Sequence, residues 1–172
     1  RTGRWEVFGS EMYRLKDRKD SDYCLCPTHE EVVTELFDSS NFPARIYQIG
    51  RKFRDESWPK NGLLRGKEFI MKDLYSFDKD VESAQVSYRV MVKAYKEIFN
   101  RLELNYLVVE GDTGNIGGNL SHEFHSISTV GEDQLLHCTC SGSRYAANVE
   151  MAKSIIDANH LQALSNTTSS FV

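Results

Sequence analysis

The chain has 172 residues, 40% of them hydrophobic and 27% charged, with a formal net charge of −4. This length suits one domain with one core, and the composition excludes an intrinsically disordered chain. The negative balance argues against a module held on nucleic acid by bulk electrostatics, leaving room for a local basic patch within Arg45–Lys72, and no apolar run approaches the ~20 residues that span a membrane.

The opening segment RTGRWEVFGS has neither an initiating Met nor an apolar signal core, so the natural start is expected to lie upstream. Then EMYRLKD alternates as a strand, RKDSD turns, and YCLC gives a second short strand ended by Pro27. THEEVVTELF predicts a helix from His29 to about Phe37, with Thr28 as N-cap and Glu31 completing a capping box. After the loop DSSNFPA, RIYQIGRKF reads as a strand. From Arg65 to Phe77 the residues alternate again: Phe69, Met71, Asp73 and Tyr75 share one face. Pro59, Asn61 and Gly62 mark the stretch between as a loop, so the two runs predict one long antiparallel hairpin.

The strongest helix pattern covers DKDVESAQVSYRVMVKAYKEIFNRL, with Val81, Ala84, Tyr88, Met91, Tyr95, Ile98 and Leu102 as the expected buried stripe. NYLVVEGD, LSHEFHSIS and QLLHC follow as strands, and a helix is expected from about Asn148 to Leu164. Gly117 and Gly118 read as a turn. These elements predict an α+β fold, an antiparallel sheet flanked by helices. It would occupy residues 1–165, with 166–172 as a frayed polar tail. The absence of repeated β-α-β units weighs against a doubly wound nucleotide fold.

Candidate chemistry gathers at the hairpin. Arg54 and Glu56, two apart at a strand end, are expected to share a face. Arg65 opens the return strand, so an antiparallel hairpin would bring it beside Arg54. Two guanidiniums suit a polyanion, because each offers bidentate bonds to phosphate oxygens. Phe69 offers a flat face for a base. The competing reading is an edge hairpin with surface ion pairs worth about 0–1 kcal/mol each. Glu30, beside Thr28, reads either as a helix-end carboxylate or as a receptor for a small ammonium group. His122 and Phe124 share a strand face, as packing residues do. No nucleophile–base constellation is apparent. Four cysteines form two C-x-C pairs, Cys24/Cys26 and Cys138/Cys140. This spacing is shorter than zinc sites usually use, so partly buried free thiols are the plainer reading, with a zinc-bound interaction module as the alternative.

The segments CLCPTHEE, KFRDE, GLLRGKEFIMKDLYSFD, GNIGGNLSHEF and YAANVE occur in that order. Together they resemble the catalytic domain of prolyl-tRNA synthetases of the bacterial and mitochondrial type, from Arg4 to Glu150. FRDE is similar to motif 2 of the class II aminoacyl-tRNA synthetases, and PTHE to the proline-site motif of this subfamily. The resemblance implies a partial class II catalytic core, lacking motifs 1 and 3, that activates proline with ATP and Mg²⁺ and transfers it to tRNA(Pro). It implies ATP contacts at Arg54, Glu56, Arg65 and Phe69, with Arg54 on the α-phosphate and the substrate carboxylate and Arg65 on the phosphates or adenine. Thr28 and Glu30 would bind the imino group, and Met71, Asp73 and Tyr75 would line the ring's pocket. His122 and Phe124 would lie on a neighbouring strand. No protein ligand set for a metal is implied. A homodimer is expected of the full-length enzyme, with no membrane association. The expected compartment is mitochondrial, the alternative being the bacterial cytoplasm.

The chain departs from the family pattern in places. Phe37–Arg45 is shorter than usual, and Trp58 replaces a more usual basic residue. With motifs 1 and 3 missing, the chain reads as a fragment of weak or no activity. The alternative reading is a synthetase-like module that binds partners without catalysis.

Overall fold

The computed structural model describes residues 3–60, 62–114, 117–138, 145–149, 151–152, 161–163 and 168–171. Two compact units divide the chain, Arg1–Met91 and Val92–Val172, where the composition suggested one.

In the first unit, a short helix α1 (Arg4–Val7) and a 3-10 turn lead into strands β1 (Arg14–Lys16) and β2 (Asp22–Cys24), paired antiparallel. Asp17 builds their turn: its carboxylate accepts the backbone N–H of Lys19 at 2.7 Å and of Ser21 at 2.9 Å. Helix α2 (Glu30–Leu36) follows. Strands β3 (Ala44–Phe53) and β4 (Glu68–Phe77) then pair over their whole lengths, from Ala44↔Phe77 to Phe53↔Glu68, as the expected antiparallel hairpin. Phe37 stacks on Phe77 with ring centroids 4.0 Å apart, which seats the end of α2 on the base of this ribbon.

The ribbon's two faces differ. Gln48, Lys52, Phe69, Met71, Asp73 and Tyr75 are buried or half-buried, whereas Tyr47, Ile49, Arg51, Ile70 and Lys72 are exposed. This period-two split follows from the pleat. Both faces are mixed: Gln48, Lys52 and Asp73 lie beside Phe69 and Met71 on the covered face, and Tyr47, Ile49 and Ile70 beside Arg51 and Lys72 on the open one.

Helix α3 (Val81–Arg101) begins at a reciprocal cap. The Asp80 carboxylate accepts the Ser83 N–H at 2.8 Å, and the Ser83 hydroxyl accepts the Asp80 N–H at 3.3 Å. The helix is where expected, but its buried stripe is not. Val81, Tyr95, Ile98 and Leu102 are exposed, and Ser87 is the buried position. Ser87 turns inward because its hydroxyl bonds the Asp78 carboxylate at 2.8 Å. A polar contact of that kind leaves no trace in hydrophobic periodicity.

The second unit holds strands β5 (Tyr106–Glu110), β6 (His122–Ile127), β7 (Leu135–Cys138), β8 (Ala146–Asn148), β9 (Leu161–Ala163) and β10 (Thr168–Phe171). Their order is β10-β6-β5-β8-β7-β9. Pairing is antiparallel apart from one parallel contact, Glu110↔Ala147. Val109, Leu135 and Ala146 form the core, with Leu107 packed against it. Phe124 sits among the rings of Tyr95, Phe99 and Tyr106 at centroid distances of 5.3–5.6 Å.

Two expectations change here. The helix expected from Asn148 to Leu164 gives way to strand at both ends, at Ala146–Asn148 and Leu161–Ala163; residues 153–160 lie outside those described. Ala147 is fully buried between β5 and β7. The polar tail expected to fray pairs instead with β6 over Thr168–Phe171. The double glycine is a turn as expected: Gly117 and Gly118 have φ of 81° and 118°, a region that favours residues without a Cβ.

Candidate active site

The end of β3 is held beside the segment before α2. The backbone N–H of Phe53 bonds the carbonyl of Cys26 at 3.0 Å, and Arg54 Nε donates to the carbonyl of Pro27 at 3.4 Å. The Arg54 guanidinium lies over the Phe69 ring, 5.5 Å from its centroid. This cation–aromatic contact steadies the guanidinium.

Strand β3 ends at Phe53, so Arg54 and Glu56 do not share a strand face as expected. A tight turn follows, in which the Glu56 N–H bonds the Arg54 carbonyl at 2.8 Å. The turn sends the Glu56 carboxylate to Arg65 Nε at 2.9 Å. The Glu56 side chain is 12% exposed and that of Arg65 51%, so the pair has a shielded anion and an open cation. The loop beyond is closed by a bridge between Lys60 and Arg65. Trp58, two residues before that bridge, stands out in solvent.

The covered face of the ribbon meets α2 through a polar network. Thr28 is buried, and its hydroxyl donates to the Glu30 carboxylate. The expected capping box is absent: His29 is the N-cap residue of α2 and no side chain bonds the cap. Thr28 is diverted because its hydroxyl is already committed to Glu30. The Tyr75 oxygen accepts the His29 N–H at 3.2 Å, and the Tyr75 hydroxyl donates to the Asp73 carboxylate. Gln48 Nε2 bonds that carboxylate at 3.2 Å, and the fully buried Lys52 places Nζ 3.4 Å from its other oxygen.

These contacts set the protonation of the network. Burial works to raise the Asp73 carboxyl, but hydrogen bonds from Tyr75 and Gln48 and the Lys52 ammonium outweigh it, and its pKa falls below the ordinary value. Burial, with the bond to Asp73 next, pushes the Tyr75 phenol from 10.0 up to about 12.

Thr28, Glu30, Arg54, Glu56, Arg65, Phe69, Met71, Asp73 and Tyr75 therefore all lie in the first unit, on the ribbon or next to it. His122 and Phe124 lie in the second unit, on strand β6, which pairs with β5 and β10. Phe124 is a packing residue of the ring cluster. His122 lines an open cleft of about 770 Å³ in the second unit, together with Asn100, Glu110, His137 and Tyr145. The sequence reading missed Gln48 and Lys52. Their signal was faint: polar residues six and two positions before Arg54, at the alternation that faces Asp73.

Cys24 and Cys26 are free thiols; Cys140 lies outside the described residues. Burial, with Cys26 next, pushes the Cys24 thiol up, away from the thiolate a metal requires. Among the described residues, no group of three or more His, Cys, Asp or Glu could hold a metal ion. Nor is any described helix long and apolar enough to cross a membrane.

Comparison with known proteins bears directly on this geometry. Residues 13–162 match the tRNA synthetase class II core domain (G, H, P, S and T). A proline–tRNA ligase of Maridesulfovibrio salexigens is 52% identical over 157 residues, covering 88% of this chain and 27% of the relative. That of Burkholderia multivorans is 52% identical over 159 residues, covering 90% and 27%. A third, from Nitratidesulfovibrio vulgaris, is 52% identical over 157 residues. The chain thus spans about a quarter of the length of these relatives, 27%. It belongs to the class II aminoacyl-tRNA synthetase core family, within the group of the proline–tRNA ligases.

Proposed function

We propose that this chain carries the motif 2 part of a proline–tRNA ligase active site, where proline is activated by ATP and then passed to tRNA(Pro). The observation that carries the reading is the junction at Pro27. One arginine, Arg54, bonds the backbone immediately before Thr28 and lies over Phe69. A candidate ammonium receptor and a candidate nucleotide platform are thereby held by a single side chain.

In this reading Arg54 and Arg65 meet the phosphates and Phe69 stacks on the purine. Glu56 lies at the adenine end, and Thr28 with Glu30 receives the imino group. Met71, Asp73 and Tyr75 line the ring's pocket. The proline carboxylate attacks the α-phosphorus, its new P–O bond forming as the bond to pyrophosphate breaks. The nucleophile is already ionised, so no general base is needed; positioning and electrostatics carry the step. Magnesium enters as the counter-ion of the ATP substrate. Two guanidiniums and an aromatic face suit an anionic nucleotide, and no resident metal is required of the described residues.

Calorimetry with prolyl-sulfamoyl-adenosine, a non-reactive adenylate mimic, tests the assignment. Arg54→Ala should abolish detectable binding of the mimic, and in the full-length enzyme the same change should cost about 3–4 kcal/mol of activation barrier. Glu30→Gln should weaken the mimic while sparing ATP. Undiminished binding by Arg54→Ala would overturn the reading and favour a non-catalytic module. The isolated chain is expected to catalyse proline-dependent ATP–pyrophosphate exchange weakly or not at all.

The compartment favoured is the mitochondrion, with the bacterial cytoplasm as the alternative. The bacterial relatives support an enzyme of bacterial type, which suits either place. A homodimer is proposed for the full-length protein. The reading frame of the parent gene tests the compartment, and sedimentation of its product tests the dimer.

A further inference from the structure

The network behind Tyr75 contains a buried ammonium with no direct part in the proposed chemistry. Lys52 has no exposed surface, and its Nζ reaches the Asp73 carboxylate at 3.4 Å. Taking an ammonium out of water is costly, and an apolar side chain of similar volume could fill the same space without that cost. With the hydrogen bonds from Tyr75 and Gln48, the ammonium holds the Asp73 carboxylate ionised under cover. An ionised carboxylate only accepts hydrogen bonds, whereas a protonated one also donates.

The consequence falls on Tyr75, which has one proton and two lone pairs to place. With Asp73 ionised, the proton goes to Asp73 and the oxygen accepts the His29 N–H at 3.2 Å. Next to it, the Thr28 hydroxyl donates to Glu30. Both hydroxyl protons are then committed, and only lone pairs and the Glu30 carboxylate remain for a ligand. Such a receptor suits a cationic nitrogen with N–H groups to donate and disfavours a ligand that presents an acceptor.

We propose that Lys52 is a positioning residue: by keeping Asp73 ionised it directs the Tyr75 proton away from the Thr28–Glu30 receptor and leaves that receptor acceptor-only. The inference rests on the reading of Thr28 and Glu30 as the imino-group site, and extends it to a residue that touches no substrate.

The test uses the 172-residue chain and two variants, Lys52→Met and Lys52→Met/Asp73→Asn. The double variant removes both charges together, so no orphan carboxylate remains to unfold it. The first readout is ionisation of the Tyr75 phenol, followed by near-ultraviolet difference absorbance against Tyr75→Phe. The unmodified chain should titrate at about 12, and the double variant below that. The second readout is calorimetry with prolyl-sulfamoyl-adenosine and with ATP. Both variants should lose about tenfold or more in affinity for the mimic and keep that for ATP. An unmoved phenol, or a double variant that binds the mimic as tightly as the unmodified chain, overturns the inference alone. Failure of the unmodified chain to bind the mimic overturns the proposed function, whatever the phenol does.

Discussion

Individual residues here carry more than their sequence context suggests, and Glu123 shows how. Its carboxylate sits 2.6 Å from Nε2 of the fully buried His125 and 3.1 Å from the Asn148 amide. A Cβ on Gly111 would come within 2.8 Å of this side chain, so the glycine makes room for it. The bond from His125, working against burial and helped by Asn148, holds the Glu123 carboxyl below its ordinary value. A carboxylate with a depressed folded pKa stabilises the fold above its unfolded pKa, and that contribution is lost as pH falls through the folded value. Acid should therefore destabilise the second unit. Glu123→Gln should lower stability at neutral pH by about 1–2 kcal/mol and flatten the acid limb. Urea unfolding at several pH values measures both, and an unchanged acid limb would assign the titration elsewhere.

The elements were legible in the sequence wherever periodicity was the whole signal. The ribbon was clear because Phe69, Met71, Asp73 and Tyr75 alternate cleanly against Ile70 and Lys72, and α3 because its apolar residues recur at helical spacing. What misled was polar chemistry. Ser87 took an inward position on α3 through a bond to Asp78, and Thr28 abandoned its expected cap for Glu30. The site was legible on the ribbon through the resemblance, but Gln48 and Lys52 were hidden in a stretch that reads as an ordinary strand. The second unit was harder because the run at Ala146 and Ala147 shows no alternation of large apolar residues, and the strand there forms only through long-range pairing. Phe124 shows what that pairing creates. As the centre of a ring cluster, Phe124→Ala should cost about 3–5 kcal/mol and leave the Arg54 contacts untouched. Thermal unfolding followed by near-ultraviolet circular dichroism measures the loss; a cost below about 1 kcal/mol would contradict the packing role.

For the whole molecule, the open face of the ribbon is the telling surface. Tyr47, Ile49 and Ile70 are 67%, 66% and 75% exposed, an apolar stripe beside the covered polar network. Exposed apolar strand surface promotes self-association. Sedimentation velocity should find concentration-dependent association of the chain, diminished by Ile49→Lys/Ile70→Lys. A monomer at all concentrations would contradict this.

The central claim is that one ligand engages the Thr28–Glu30 receptor and the Arg54–Phe69 platform together. Nuclear magnetic resonance titration of the chain with prolyl-sulfamoyl-adenosine tests it most directly. The account predicts that the His29 amide, the Tyr75 ring, Arg54 Nε and the Phe69 ring shift together and saturate at one ligand concentration. Saturation of the Arg54 and Phe69 signals with His29 and Tyr75 unmoved, or no saturable shift at all, would contradict it.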